Sequence, residues 1–482
     1  MIITHFKNDS SLSLDLRNLY DKLETEKILK FCQFKLILFF FIFIFNSCSF
    51  NSESQILKFL FFTQSDILSI PSYEVLNYNP CVDEIKETGI PIVEINVSDG
   101  TDIDSKNEWK KASFSIMGEF CGEDDIIIDE IQIKGRGNSS WDYAKKPYSI
   151  KFSSKEKILG MPKSKRWVLI ANYSDKTLLR NFFVSKLGNN LYDTVWNPSF
   201  KSVNLILNGK YRGVYILGEA IRIDSTRVNI DDISKNSEGG FIFEINARLD
   251  EKFNFITNNN VYISLKDPDE VSIEIQNKIK ELVQNAENVL FSNNFTDLQN
   301  GYQMVFDVNS VIDWYIMNEL GKNVDSANFS SIYFYYDPSD KLLHMGPNWD
   351  FDLAFGNVYY YGCDFYEGLY VRDNSIWIKR MFSDQTFVQR LQNRWNEKKE
   401  ELYNYINYEL QCYANNLYKA AEINFKKWDV LGHYIWPNCA GYEIRITYQD
   451  EVNYMINWLN KRYEYLDKAF NDYGRKTPEN SS

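Results

Sequence analysis

Asn348-Trp349-Asp350-Phe351-Asp352-Leu353-Ala354-Phe355-Gly356 is the stretch from which the rest of the chain is read. Two aspartates stand two residues apart, enclosed by aromatic and aliphatic neighbours and closed by Gly356. In an extended strand, positions i and i+2 share a face, so both carboxylates are expected to project together from an apolar wall. Like charges that close need a counter-charge or a shared proton. Magnesium is the usual counter-charge, because it takes one or two carboxylates and keeps its remaining positions for water or phosphate oxygens. The competing reading is a pair of surface carboxylates in a turn. Upstream, Gly321-Lys322-Asn323-Val324-Asp325 supplies another acidic loop. Between the two, Tyr333-Phe334-Tyr335-Tyr336 and the Pro338-Ser339-Asp340 turn read as a hairpin.

At 482 residues the chain has room for roughly two to four domains. Hydrophobic residues at 44% and charged residues at 25% suit a globular protein with a real core. The formal net charge of −13 argues against nucleic acid or an anionic membrane surface as the main partner and favours a basic one. Aromatic residues reach 16%, which fits a biased coding composition as well as a carbohydrate-binding surface, so no function is drawn from it.

The amino terminus carries a targeting pattern. Lys27, Lys30 and Lys35 precede an unbroken apolar run from Leu36 to Phe45, followed by Asn46-Ser47-Cys48-Ser49. That run is too short to span a bilayer but suits the apolar region of a signal peptide. Cys48, preceded by small Ser47, sits where a bacterial lipoprotein is processed and lipidated. The expectation is export and a membrane-anchored place in the bacterial cell envelope, outside the cytoplasm. A buried hydrophobic helix is the plainer alternative. The chain then divides into an export segment (1–48), a tether with a short strand-rich segment (49–88, including Ile56–Phe62), a main domain (89–471) and a polar tail (472–482). The seven cysteines show neither Cys-x-x-Cys spacing nor histidine partners, which argues against zinc. Cys81–Cys121 and Cys412–Cys439 are candidate disulfides in an oxidising compartment.

Within the main domain, Ile92–Val97, Ala112–Met117, Ile126–Ile133 and Tyr148–Phe152 are β-branched or aromatic runs separated by turn residues, and predict strands. Residues 174–192 switch to a helical period with Asp175 as amino-terminal cap. Val203–Asn208 and Gly213–Gly218 flank Asn208-Gly209, a hairpin signal, and Gly239–Ile245 predicts another strand. From Ser272 onward the pattern is helical, over about 272–292, 307–320, 375–427 and 444–471. The reading is α+β, with a strand-rich lobe over about 89–270 and a helical lobe over about 271–471.

Gly135-Arg136-Gly137-Asn138-Ser139-Ser140 is the second candidate site element. A Gly-x-Gly turn exposes backbone N–H groups suited to a phosphate, and Arg136 adds a planar charged fork; a plain turn fits equally. Lys151 follows in a strand, a phosphate ligand or an exposed edge lysine, with Lys146 as the reserve. Glu219 suits pairing with such a lysine or an ordinary surface salt bridge. Lys176 and Arg180 form a basic helical face for phosphate or for solvent. No Gly-x-Ser-x-Gly elbow surrounds a serine, so a hydrolase triad has no support. Two-carboxylate glycosidase chemistry stays open, but it leaves the glycine–arginine turn and Lys151 without a role.

An acidic loop, a hairpin and a second acidic loop resemble the catalytic and metal-binding loops of protein kinases. More specifically, six segments in order resemble the spore coat protein H (CotH) kinase family: IPIVEIN with SKNEWKKASFSI; IKGRGNSSWDYAKKPYSIKF; NYSDKTLLRNFF; VNLILNGKYRGVYILGEAIRID; GGFIFEI; and NVDSANFSSIYFYYDPSDKLLHMGPNWDFDLAFGN. Asp450 to Phe470 extends the likeness, which covers about residues 90 to 470. The resemblance implies an atypical protein-kinase-like fold using ATP and Mg²⁺ or Mn²⁺ to phosphorylate serine or threonine of exported proteins. It makes Asp350 and Asp352 metal ligands, with Asn328 assisting, and Asp325 the catalytic acid that orients or deprotonates the accepting hydroxyl. Arg136, Ser139 and Lys151 would bind phosphate, with Glu219 stabilising the lysine or the nucleotide. Asn348 stands where the family often has a hydrophobe. The rival reading is a non-catalytic, surface-anchored binding scaffold on the same fold.

Overall fold

Alternation of buried and outward-facing residues marks the early strands of the molecule, and the later hairpin of its first half is buried almost throughout. The computed structural model describes residues 78–473. Cys48 and the export segment, the Ile56–Phe62 run and most of the polar tail lie outside those residues. A short helix α1 (Val82–Lys86) leads into strands β1 (Ile92–Val97), β2 (Lys110–Met117) and β3 (Ile126–Gly135). One helical turn, α2 (Ser139–Asp142), precedes β4 (Tyr148–Ile158) and β5 (Met161–Ile170). Helix α3 (Arg180–Asn190) and the hairpin β6 (Phe200–Leu207) and β7 (Lys210–Glu219) follow.

These strands close into a barrel in the order β1-β2-β3-β4-β5-β7-β6. Closure comes from a parallel pairing of β1 with β6, Ile92 lying opposite Asn204. In β4, Tyr148, Ile150 and Phe152 are buried, with Ser149 and Lys151 between them on the other face. The buried set joins Phe114, Ile133, Trp167 and Leu217 in one apolar core inside the barrel, so the barrel is filled by its own side chains. The β6–β7 turn is Asn208-Gly209 with φ of 51° and 70°, the doubly left-handed geometry that two-residue hairpins favour.

The second half is built around another sheet. Strands β8 (Phe241–Ile245), β9 (Asn254–Ile256) and β10 (Tyr262–Asp267) precede helices α4 (Ile273–Phe291) and α5 (Val308–Gly321). A hairpin, β11 (Ile332–Asp337) and β12 (Leu342–Met345), returns to pair with β8, giving the order β12-β11-β8-β10-β9. Helices α6 (Tyr370–Asn374), α7 (Ile376–Met381), α8 (Gln385–Asn404), α9 (Leu410–Lys427) and α10 (Tyr448–Asp472) complete the chain, with a π-turn at Tyr405–Glu409 between α8 and α9. Phe243 stacks on Phe334 across β8 and β11 at 5.2 Å, and both join α5, α8 and α10 in the larger apolar core. Among the described residues no helix is long and apolar enough to cross a membrane.

The layout is a strand-rich amino-terminal region followed by helices, as the alternating and helical periods imply. Several details differ. Residues 82–86, expected as part of a strand-rich tether, form α1. Strands β5, β9 and β10 carry charged or irregular sequence and were not anticipated. The expected hairpin forms as β11–β12 inside the lobe read as helical, but it pairs with β8 and so belongs to a sheet begun before residue 270. Helix α3 starts at Arg180, because Leu178 takes a left-handed φ of 57°. The five described cysteines are all unpaired, so neither candidate disulfide forms; Cys439 instead packs against the Tyr454 hydroxyl at 3.1 Å.

Buried charges tie the parts together. The Lys145 ammonium donates to the Val214 carbonyl and, at 3.0 Å, to Asn424 Oδ1, which also accepts from Val214 N, fixing α9 on β7. Burial holds the Lys145 pKa well below its usual value. Arg462 of α10, fully buried, donates to the Glu319 carbonyl and carboxylate and to the carbonyls of Tyr366 and Gly368. It thereby holds the end of α5, from which the first acidic loop departs. Breaking one side of a buried ion pair costs about 3–5 kcal/mol, so Arg462→Met should lower stability by that amount in chemical denaturation. A loss of no more than about 0.5 kcal/mol, the range of surface substitutions, would contradict this account.

Candidate active site

Helix α5 ends on Lys322 in a left-handed conformation, φ 46°. The chain then makes a single 3₁₀ turn, Val324–Ser326, that carries Asp325. Asp350 and Asp352 come from the loop after β12. That loop is not a strand: Asp350 has φ of 68°. The two carboxylates therefore meet through a turn rather than through the pleat of an extended chain.

Polar side chains hold this loop nearly residue by residue. Asn323 Nδ2 donates to the Asp350 carbonyl at 3.3 Å. Phe351 N donates to Asn181 Oδ1 at 2.8 Å, and Asn357 Nδ2 donates to the Asp352 carbonyl at 2.7 Å. Arg180 Nε donates to the Ala354 carbonyl at 3.0 Å, and Phe355 N donates to the Gly321 carbonyl at 2.8 Å. Asp175, buried beside Arg180, accepts from its guanidinium at 2.5 Å and from its backbone N–H at 2.9 Å. Asp175 therefore does bond the first turn of α3, as a capping residue would, but from five residues upstream. Arg180 and Lys176, read as a basic outer face, are both buried. Lys176 donates to the His433 carbonyl at 2.6 Å, and burial brings its pKa down to about 8. Asn348 is buried too, its amide satisfied by Asn197 and Asn318, which accommodates a polar residue at that place.

The loop faces a cleft lined by Arg136, Ser140, Tyr143, Pro147, Ile170–Tyr173, Asn181, Trp349, Asp350 and Asp352. Gly135 and Gly137 let the opposite wall come close. A Cβ on Gly135 would meet the Trp141 ring at 2.3 Å, and one on Gly137, whose φ is 87°, would meet Ser140 Oγ at 2.1 Å. The Gly135 and Arg136 amides, expected to be free for a phosphate, instead donate to the carbonyls of Ser105 and Pro147. What the turn presents is the Arg136 side chain, 5.4 Å above the Trp349 ring. Burial lowers the Arg136 pKa, while Asp350, Tyr333 and Asp352 raise it.

The structure thus brings Arg136, Asp350 and Asp352 together, with Asp325 close enough to act on both acids. Burial first, then the Asp350 charge, pushes the Asp325 pKa up to about 7 against the opposing pull of Arg248. The Asp352 carboxyl hydrogen-bonds Asp350, and its pKa is raised well above the usual range by burial, Asp350, Asp325 and Asp175. Among the described residues, none of these three acids forms an ion pair of 4 Å or less with a lysine, arginine or histidine. Asn323 Oδ1, buried beside them, has no hydrogen-bond partner among the described residues. Asp350 and Asp352, hydrogen-bonded to each other, form an oxygen pair with unmatched negative charge, which is what Mg²⁺ or Mn²⁺ takes, so the residues present fit a divalent cation.

Other expected site residues lie elsewhere. Ser139 is exposed, and its neighbour Ser140 lines the cleft in its place. Lys151 faces out of the barrel between Gln132 and Arg166 and is not among the cleft-lining residues. Lys146 donates to the Trp141 carbonyl and lies 5.2 Å from the Trp141 ring. Glu219, fully buried, accepts from Ser199 N at 2.9 Å and pairs with Arg227 at 3.6 Å rather than with Lys151. Asn328 turns its amide to the Asn374 carbonyl at 2.8 Å, while Ser331, unremarked in the sequence, donates to Asp350 Oδ2 at 2.9 Å. Asn181, Asn323 and Ser331 were missed because single polar residues at element ends carry no pattern; only the fold gives them partners.

A family model described as CotH kinase protein matches residues 133–466, from just before the glycine turn to near the end of α10. The chain belongs to the CotH kinase family. No curated protein was found to match it.

The raised Asp325 pKa has a signed consequence. Between the unfolded value near 4 and the folded value of about 7, the folded state binds more protons, so stability falls as pH rises through that window. In chelator, Asp325→Asn should melt above the unmodified protein at pH 8, with the gap closing toward pH 4 in calorimetry. An equal gap at both pH values would show that Asp325 is not forced to ionise at a cost.

Proposed function

We propose that the chain is an atypical serine/threonine protein kinase of the CotH family, transferring a phosphoryl group from ATP with Mg²⁺ or Mn²⁺. The observation that carries this reading is the convergence of Asp350 and Asp352 with Arg136 on one cleft, with Asp325 electrostatically coupled to both acids. On it, barrel and helical half correspond to the two lobes of a kinase-like fold, with the cleft between the glycine turn and the acidic loops.

Asp350 and Asp352 would hold the cation. A bound cation–ATP pair supplies the electrophilic phosphorus and neutralises charge on the phosphate oxygens. Arg136 offers a planar fork to those oxygens, and its place over Trp349 restricts the directions it can point. Asp325, with a pKa raised to about 7 by burial and by Asp350, suits a group that orients the accepting hydroxyl and receives its proton near neutral pH. Lys151 and Glu219 have no part in this proposal, since one faces away from the cleft and the other is engaged with Arg227.

The acceptor proposed is a serine- or threonine-bearing protein, of basic character because the chain carries a net charge of −13. Export and lipid anchoring at Cys48, hence action outside the cytoplasm, belong to the same proposal and rest on the Leu36–Phe45 run.

With labelled ATP, Mg²⁺ or Mn²⁺ and a basic protein acceptor, residues 78–482 should place label on serine or threonine. Asp350→Ala should abolish transfer, and Asp325→Ala should slow it by roughly 10²–10⁴-fold, the usual contribution of a general base. Arg136→Met should raise the KM for ATP more than it lowers kcat. Metal-dependent ATP binding with no transfer to any acceptor or to the protein itself would favour the binding scaffold instead.

A further inference from the structure

Ser331 sits just before β11 with φ of 62°, a left-handed conformation uncommon for a residue with a side chain. Two bonds hold it there. Its backbone N–H donates to Glu244 Oε1 at 2.7 Å, and its hydroxyl donates to Asp350 Oδ2 at 2.9 Å. Glu244 is on β8, directly opposite Tyr333 of β11, and is only 4% exposed. Its other oxygen meets Lys266 Nζ at 3.2 Å.

Lys266 occupies an irregularity of its own. The β10–β8 register jumps between Leu265 and Asp267, so Lys266 is the extra residue of a bulge. Bulges re-aim side chains and are common beside active sites; here the bulge turns the ammonium to Glu244 and Glu251. A continuous line therefore runs from Lys266 through Glu244 and Ser331 to Asp350, across three neighbouring strands.

We infer that Ser331, anchored by Glu244 and Lys266, is a positioning residue that fixes the Asp350 carboxylate for cation binding. This inference rests on the metal-dependent reading of the cleft. Asp350 is itself held in a left-handed conformation, and its side chain has a free torsion that the loop's backbone clamps do not restrict. The Ser331 hydroxyl restricts that torsion by bonding Oδ2, beside the hydrogen bond that Asp350 shares with Asp352. Glu244 in turn holds Ser331 in its unusual backbone conformation, and Lys266 orients Glu244 and opposes the rise that burial imposes on its pKa. Partners of this kind behind a ligand typically change metal affinity by about 10–100-fold when removed.

Mn²⁺ titration followed by electron paramagnetic resonance of the free ion, on protein without nucleotide, separates this role from a structural one. Ser331→Gly deletes the hydroxyl while relieving the left-handed backbone. It should melt no lower than the unmodified protein yet bind Mn²⁺ at least about 10-fold more weakly. Ser331→Asn, which tolerates the same backbone and keeps a donor, should recover most of that loss. Glu244→Gln, which keeps an acceptor but loses the charge that Lys266 meets, should weaken Mn²⁺ binding with a rise in the metal KM rather than a fall in kcat at saturating metal. Unchanged Mn²⁺ affinity in Ser331→Gly would overturn the inference while leaving the kinase reading intact. Absence of Mn²⁺ binding by the unmodified protein would remove both.

Discussion

Crowding of negative charge is the constraint on which the rest of this structure depends. Asp325, Asp350 and Asp352 are half-buried, and among the described residues no lysine or arginine pairs with any of them closely. Isolated carboxylates in such surroundings take up protons, which is the direction in which Asp325 and Asp352 move. Folding must therefore hold together groups that repel one another, and the molecule does so with backbone clamps rather than with counter-charges. Asn181, Asn323, Asn357 and Arg180 each grip a peptide group of the 350–355 loop, leaving the carboxylates themselves unneutralised. The buried charges that do pair, Arg180 with Asp175 and Arg462 with Glu319, stand behind the loops and brace them.

This arrangement explains a division of labour between the two halves of the chain. The barrel is filled by its own apolar side chains, and it presents the glycine turn and Arg136 at one end. The second core, spanning the β8–β12 sheet and the helices, supports the acidic loops. Lys145 and Asn424 fix one half against the other through the edge of β7. That contact is remote from the site, while Arg180 and Asn181 of α3 bond the acidic loop directly, so a rigid frame positions a site carried on loops.

Much of this was legible in the sequence where period carries information. Ile92–Val97 and the Asn208-Gly209 hairpin were readable because alternation and turn chemistry agree there. The acidic pair and Asp325 were readable because carboxylates amid apolar residues are unusual. The rest was hidden for physical reasons. Strand β5, Met161-Pro162-Lys163-Ser164-Lys165-Arg166, carries charge on an outer face and so lacks an apolar signature over half its length. Lys151 looked like a phosphate ligand because a strand lysine follows a glycine turn, but the parity of β4 sends it away from the cleft. Glu219 found Arg227, a partner that sequence separation alone does not reveal. Asn181 and Ser331 matter only because tertiary contacts bring them to Phe351 and Asp350.

The most direct test of this account is the melting temperature of the purified protein in chelator, in Mg²⁺ or Mn²⁺, and in either cation with ATP. If the three carboxylates are held short of a counter-charge, divalent cation should raise the melting temperature, ATP should raise it further, and Asp350→Ala should abolish both shifts. A melting temperature indifferent to cation and nucleotide, with Asp350→Ala behaving as the unmodified protein does, would contradict the claim that this cleft is built to hold a metal and a phosphate donor.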